Sequence, residues 1–148
     1  MTNTDLTALE PLVGTWQMVA TFKDMAPTQE EAPCSFEWMT GGQFLVQRWF
    51  APDPAPSGLA IIGADPDRAG GFLQHYFDSR GVARVYRLTL SGGRLELTRD
   101  EPDFSPLDFS QRYRGTFSDD GRAILGQWEI RHPGQDWERD FGFDYFRI

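Results

Sequence analysis

Cysteine is almost missing from this chain: Cys34 stands alone among 148 residues. A single thiol cannot close an intrachain disulfide, so nothing in the sequence requires an oxidising compartment. Lysine is equally rare. Lys23 is the only one among fourteen basic residues, and twenty-two acidic residues leave a net charge of −8. Such a chain has no clustered basic face and repels polyanions, so neither nucleic acid nor an anionic membrane is an expected partner. Histidine is limited to His75 and His132. With one cysteine far from both, they do not make a structural zinc site. No window approaches the roughly eighteen apolar residues that a membrane-spanning helix needs. Met1 to Glu10 lacks the basic start and apolar run of a signal peptide, so the expected location is cytoplasmic. Long helical periodicity is missing too, and no segment can supply the crossover of a βαβ unit.

What the chain does contain suits one folded domain spanning 1–148. Hydrophobic residues make up 40% and aromatic residues 14%. Aromatic side chains fit pleated, half-buried surfaces and line cavities well. Asp5 to Glu10 predicts a short helical plug, with Leu6 and Leu9 on one side and Pro11 ending it. Alternating runs then predict ten strands: Gly14 to Lys23, Cys34 to Trp38, Gln43 to Phe50, Gly58 to Ala64 and Phe72 to Phe77. The second half supplies Val82 to Leu90, Leu95 to Arg99, Phe109 to Phe117, Ala123 to Arg131 and Trp137 to Arg147. The inward faces of 43–50 and 72–77 are ambiguous, because both sides of the first carry aromatics.

Turn chemistry joins most of these runs tightly. Gly41-Gly42 and Gly92-Gly93 read as two-residue hairpin turns. Asp78 to Gly81 and Ser118 to Gly121 follow type I turn preferences, and His132-Pro133-Gly134 a type II turn. Two polar, proline-bounded loops, Asp24 to Pro33 and Glu101 to Leu107, interrupt the series. Short strands joined by hairpins predict an all-β closed up-and-down antiparallel barrel.

Leu12-Val13-Gly14-Thr15-Trp16, taken with Arg147 at the end of the last strand, resembles the arrangement of the calycins, which include lipocalins and fatty-acid-binding proteins. The resemblance implies a Trp across the barrel floor with a late Arg packed over its ring. Gly14, Trp16 and Arg147 are then structural closure residues. Gly41 to Leu45, Ile62 to Asp65, Tyr76 to Gly81, Phe109 to Tyr113 and Asp140 to Arg147 are similar to an uncharacterised family of bacterial lipocalin-like proteins. That family implies a fold and no settled activity. Nitrobindins share the barrel and hold haem through a histidine near the C-terminus. Here Trp137 to Ile148 contains no histidine, and the opening Gly-x-Trp runs on as Gln17-Met18-Val19 instead of further glycines. No haem or other cofactor is expected.

The candidate chemistry is sparse. His75 and Asp78 are three residues apart on a strand, which puts them on opposite faces, so they form no dyad unless the turn at Asp78 redirects the carboxylate. Ser79 lacks the context of a nucleophile elbow. The paired carboxylates lie in turns, and no catalytic or metal-ligating set emerges. The aromatics remain. Inward parity set from Trp16 and Arg147 places Phe22, Phe36, Trp38, Ile124, Trp128, Phe141, Phe143 and Tyr145 inside, along with Trp137 and Arg139. A barrel of ten strands is wider than the roughly eight whose interior is just filled by side chains. The expected binding wall is therefore Trp38, His75, Tyr86, Gln111, Tyr113, Trp128, Phe143 and Tyr145. An inward arginine is costly unless paired, yet could grip a ligand carboxylate bidentately, which makes Arg48, Arg84 and Arg139 worth placing. Binding of a small apolar or aromatic molecule is the leading expectation. An isomerase- or cyclase-type enzyme using His75, Tyr113 or Tyr145 is the alternative. A structural or interaction module, with a possible homodimer through an outer face, is the third.

Overall fold

The computed structural model describes residues 5–22, 30–100 and 109–148. Ten antiparallel strands close into one barrel, each pairing with its neighbour in sequence, and the first also pairing with the last. They are β1 (Gly14–Phe22), β2 (Glu30–Trp38), β3 (Leu45–Trp49), β4 (Gly58–Ala64) and β5 (Phe72–Asp78). The chain continues through β6 (Ala83–Ser91), β7 (Arg94–Arg99), β8 (Ser110–Phe117), β9 (Ala123–Arg131) and β10 (Glu138–Arg147). Closure leaves no unpaired sheet edge, and the consecutive hairpins make it an up-and-down barrel.

Alternation decides what fills it. On β1 the inward side chains are Trp16, Met18 and Ala20; on β6 they are Tyr86, Leu88 and Leu90; on β7 they are Leu95, Leu97 and Arg99. The two ambiguous strands resolve through their partners. Cys34 faces Trp49 and Phe36 faces Gln47, so β3 points Leu45, Gln47 and Trp49 inward. On β5, Phe72, Gln74, Tyr76 and Asp78 point inward, which leaves His75 exposed on the outer face.

A 3-10 helix, Leu6–Leu12, caps the end where β1 begins and β10 finishes. Asp5 starts it by accepting a hydrogen bond from the Thr7 N–H at 3.0 Å. Pro11 does not end it, contrary to the sequence expectation, and the helix runs on through Leu12. Three residues per turn line up Leu9 with Leu12, and both are fully buried in the barrel end. Each such burial is worth about 2 kcal/mol.

Other differences from the sequence reading have local causes. Gly41-Gly42 is part of a longer loop, closed by the Met39 N–H donating to the Phe44 carbonyl at 2.9 Å. Gly92-Gly93 does form a two-residue turn between paired Ser91 and Arg94. β2 begins at Glu30, ahead of the expected Cys34, and pairs with β1 through Pro33 opposite Gln17. The predicted loops 24–33 and 101–107 fall mostly outside the described residues. A β-bulge shifts β10 against β9 between Arg139 and Phe141. Arg139 consequently pairs with outward Glu129, so Trp137 and Arg139 leave the inner face that strict alternation assigned them. The Trp137 ring packs instead against Arg112 and Arg131 on the outside.

Candidate functional site

The two ends of the barrel differ in kind. At the end under the 3-10 helix, Trp16 is fully buried and its indole N–H donates to the Leu12 carbonyl at 2.8 Å. Arg147 sits directly opposite in register, with its guanidinium carbon 4.0 Å from the Trp16 ring centroid. The same guanidinium donates to the carbonyls of Val13 and Pro11, both at 2.7 Å. Gly14 makes the approach possible, since its φ is +132° and a Cβ there would lie 2.5 Å from Arg147 Nη1. Leu45, Ile62, Phe72, Leu88 and Ile124 fill the space above this floor and exclude solvent.

At the opposite end, where β6 begins and β7 finishes, inward side chains keep contact with solvent. Tyr76, Arg84, Gln111, Trp128, Phe141 and Phe143 are all only partly buried. These partly exposed inward side chains form the mouth half of the barrel, away from the helical plug.

One side of this half is aromatic. The Trp128 ring lies 5.6 Å from Tyr86 and 5.5 Å from Tyr113. Tyr113 in turn meets Phe143 and Tyr145 edge-to-face, each at 6.3 Å. Tyr113 reaches its place because Gly115 and Gly126 carry no side chain, and a Cβ on either would fall within 2.7 Å of its hydroxyl. That hydroxyl donates to the Phe143 carbonyl at 2.9 Å. The Gly126 N–H meanwhile donates to Asp144 at 3.0 Å, outside the regular ladder. Burial pushes the phenols of both Tyr113 and Tyr145 far up, so they stay protonated.

The other side is polar. Arg99 is almost wholly buried, and its Nε and Nη2 donate to Gln111 Oε1 at 3.2 and 2.8 Å. The Tyr86 hydroxyl donates to the same oxygen at 3.2 Å. Burial raises the Tyr86 phenol, and the guanidinium groups of Arg84 and Arg99 oppose that rise. Tyr76 donates to Asp78 at 2.7 Å, and the Arg80 guanidinium closes on the same carboxylate at 2.7 Å. Burial works against the Asp78 charge, but the hydrogen bonds from Arg80 and Tyr76 overcome it and lower its pKa to about 2. Deeper, Gln74 donates to Gln47 and Gln47 to the Cys34 thiol, both at 3.4 Å.

Six residues of the expected binding wall therefore gather into one connected set: Tyr86, Gln111, Tyr113, Trp128, Phe143 and Tyr145. Two stand apart. His75 is on the outer face, and Trp38 lies at the closed end, where its indole N–H donates to Glu10 at 2.8 Å. Of the three arginines, only Arg84 points inward, while Arg48 and Arg139 are exposed on the outer face. Sequence reasoning missed Arg99, Gln47, Gln74 and inward Asp78. Arg99 was readable, because it shares parity with Leu95 and Leu97. Gln47 and Gln74 were not, since their strands have no one-sided pattern.

A surface depression lies on the outer face over β8, β9, β10 and β1, lined by Arg114, Gln127, Arg139, Gly142 and Asp144. It opens where Gly142 has no side chain, and Arg114 and Asp144 are already engaged by Glu129 and the Gly126 N–H. Among the described residues no group of three or more His, Cys, Asp or Glu could hold a metal ion. No helix among them is long and apolar enough to cross a membrane.

The ring of ten strands, sealed at one end, is the feature to compare. The barrel is similar to that of Rv2717c. The crystal structure of Rv2717c from M. tuberculosis matches with a TM-score of 0.63 and 18% identity over 99% of both chains. At that identity the likeness to Rv2717c is one of fold. No family model matches the sequence, and no curated protein does.

Proposed function

We propose that this barrel binds one small apolar or aromatic molecule in its mouth half, without transforming it. The observation that carries the reading is the contrast between the ends. Leu9, Leu12 and Trp16 are fully buried at the plugged end, whereas Tyr76, Trp128 and Phe143 face inward in the other half and remain partly exposed. Aromatic walls with a few converging polar groups are the composition of a small-molecule site. Charged side chains exposed midway along the outer strands, such as Arg48, Arg87 and Arg114, support a carrier bathed in water instead of a lipid-facing barrel. The reading involves no nucleic acid, membrane or cofactor, and its setting is the cytoplasm.

The isomerase- or cyclase-type alternative gains nothing from the placement of its residues. His75 faces outward, the Tyr113 hydroxyl is engaged by a backbone carbonyl, and Tyr145 is buried. A homodimer through the outer face of β4 to β6 draws support from Phe77 and Val85, 44% and 37% exposed beside Leu59 and Ile61. Sedimentation of the native chain and of Phe77→Ser would separate monomer from dimer.

The test of carriage is native mass spectrometry of the purified protein, then organic extraction and tryptophan fluorescence titration with extracted material. An adduct that reloads the extracted protein and is lost in Trp128→Ala supports the reading. A chain that carries no adduct and whose emission responds to no apolar or aromatic probe is not a carrier.

A further inference from the structure

We propose that the depression on the outer face of β8, β9, β10 and β1 is a binding site in its own right, and that it takes a phosphate group, free or carried on a small organic body. The site lies outside the barrel, so the inference goes beyond the carrier reading and does not rest on it. One row of paired residues builds it. Arg114 on β8 faces Gln127 on β9, Gln127 faces Gly142 on β10, and Gly142 faces Thr21 on β1. Glycine at 142 leaves one place in that outward row without a side chain. The result is a hollow of about 470 Å³.

The groups left over in this hollow are donors. Arg139 stands opposite Glu129 in the β9–β10 pairing, yet that carboxylate is held by Arg112 and Arg114, whose Nε atoms both lie 2.9 Å from Oε1. The Arg139 side chain turns over Gly142 instead, where its Nη2 would lie 2.8 Å from an added Cβ. Among the described residues it makes no hydrogen bond, ion pair or ring contact. The side chains of Gln127 and Thr21 have no partner among them either, and Arg114 engages Glu129 through Nε alone. The acidic group in the lining, Asp144, accepts from the Gly126 N–H at 3.0 Å. Three guanidinium groups thus stand among two carboxylates, a local excess of positive charge in a chain of net charge −8.

Donors supplied by four strands suit a ligand whose acceptors point in several directions. A phosphate ester brings three acceptor oxygens and a charge of about −1.5 to −2, and guanidinium forks match that geometry. A carboxylate offers two oxygens in one plane and leaves donors on the remaining strands unmet. Polyanions gain little, because the acidic surface beyond the hollow repels them. A bare phosphate fills only part of the space, and Leu125, 53% exposed in the lining, offers an apolar surface to an organic body.

Heteronuclear NMR titration of the isotope-labelled full chain with phenyl phosphate, inorganic phosphate and benzoate tests this. Phenyl phosphate should shift the Gly126, Gln127 and Gly142 amides to saturation, at least about tenfold more tightly than benzoate, as charge-assisted hydrogen bonds require. Tighter binding than inorganic phosphate assigns an ester, and equal binding of the two assigns free phosphate. Arg139→Gln should weaken either at least about tenfold. Gly142→Ala should weaken it as well with the fold intact, because the added Cβ meets the movable end of Arg139 at 2.8 Å and Thr21 only at 3.6 Å or more. No saturable shift of these amides with either phosphate overturns the site. Benzoate bound there as tightly as phenyl phosphate overturns the phosphate assignment. Native affinity in both Arg139→Gln and Gly142→Ala overturns the placement in this hollow.

Discussion

The guanidinium of Arg147 lies over the indole of Trp16, the residue opposite it in the β1–β10 pairing that closes the barrel. One end of the chain thereby covers the other. The same side chain holds the carbonyls of Pro11 and Val13, so it also pins the 3-10 helix that plugs the floor.

Arg147→Ala removes the ring contact and leaves two carbonyls without their charged donor. A loss of about 2–4 kcal/mol in unfolding free energy is expected. Arg147→Lys should recover only part of it, since an ammonium cannot lie flat on the ring and reach two divergent carbonyls. Urea denaturation of the three proteins checks the order. Equal stability of Arg147→Ala and the native chain would show that the floor does not depend on this contact.

Gly126 should tolerate alanine far worse than Gly63. A Cβ at 126 meets the Arg114 carbonyl at 2.5 Å and the Tyr113 hydroxyl at 2.6 Å, with backbone on one side and a pinned phenol on the other. At 63 it clashes with the Phe44 ring alone, which is 42% exposed and free to swing aside, and the Gln43 carbonyl lies at an ordinary 3.9 Å. Gly126→Ala is expected to cost about 2–4 kcal/mol and Gly63→Ala about 1 kcal/mol or less. Thermal unfolding of both variants gives the comparison.

Asp78 makes the acid limb of stability steeper. Its pKa is held at about 2 in the folded chain, below the ordinary 3.8, so the folded state binds fewer protons than the unfolded one. The resulting stabilisation, on the order of 2 kcal/mol, is present above about pH 5 and is lost as pH falls through the folded pKa near 2. Asp78→Asn should flatten the stability profile between about pH 5 and pH 2. An unchanged slope in that window would show that the Tyr76–Asp78–Arg80 cluster does not hold the proton off.

Cys34 should be inert in the native protein. Burial raises its thiol to about 12, and the hydrogen bond from Gln47 only partly offsets this. Labelling by a thiol-specific disulfide reagent at pH 8 should follow global unfolding, rising in step with denaturant. Rapid labelling of the folded chain would contradict the buried position.

The strand count, most turns and the closure pair were legible because each depends on neighbours in sequence. Alternation marks a half-buried strand, and Asp or Gly at set offsets marks a turn, as at Asp78 to Gly81 and His132 to Gly134. The candidate site was legible in its aromatic half for the same reason: Trp128, Phe143 and Tyr145 share parity with residues that had to be inside.

The polar half was decided elsewhere. His75, Gln74 and Gln47 lie on strands whose two faces look alike in sequence, and only pairing with β4 and β6, or with β2 and β4, assigns their direction. The bulge at Arg139 reverses alternation without any mark in composition. The sequence by itself determined that this chain is a barrel with aromatic walls, since hydrophobic period and turn chemistry are local. Only the tertiary structure decided which end carries the helical plug and which charges face in, Arg84 and Arg99 among them. Those depend on register between strands far apart in the chain, and a shift of one residue exchanges inside for outside.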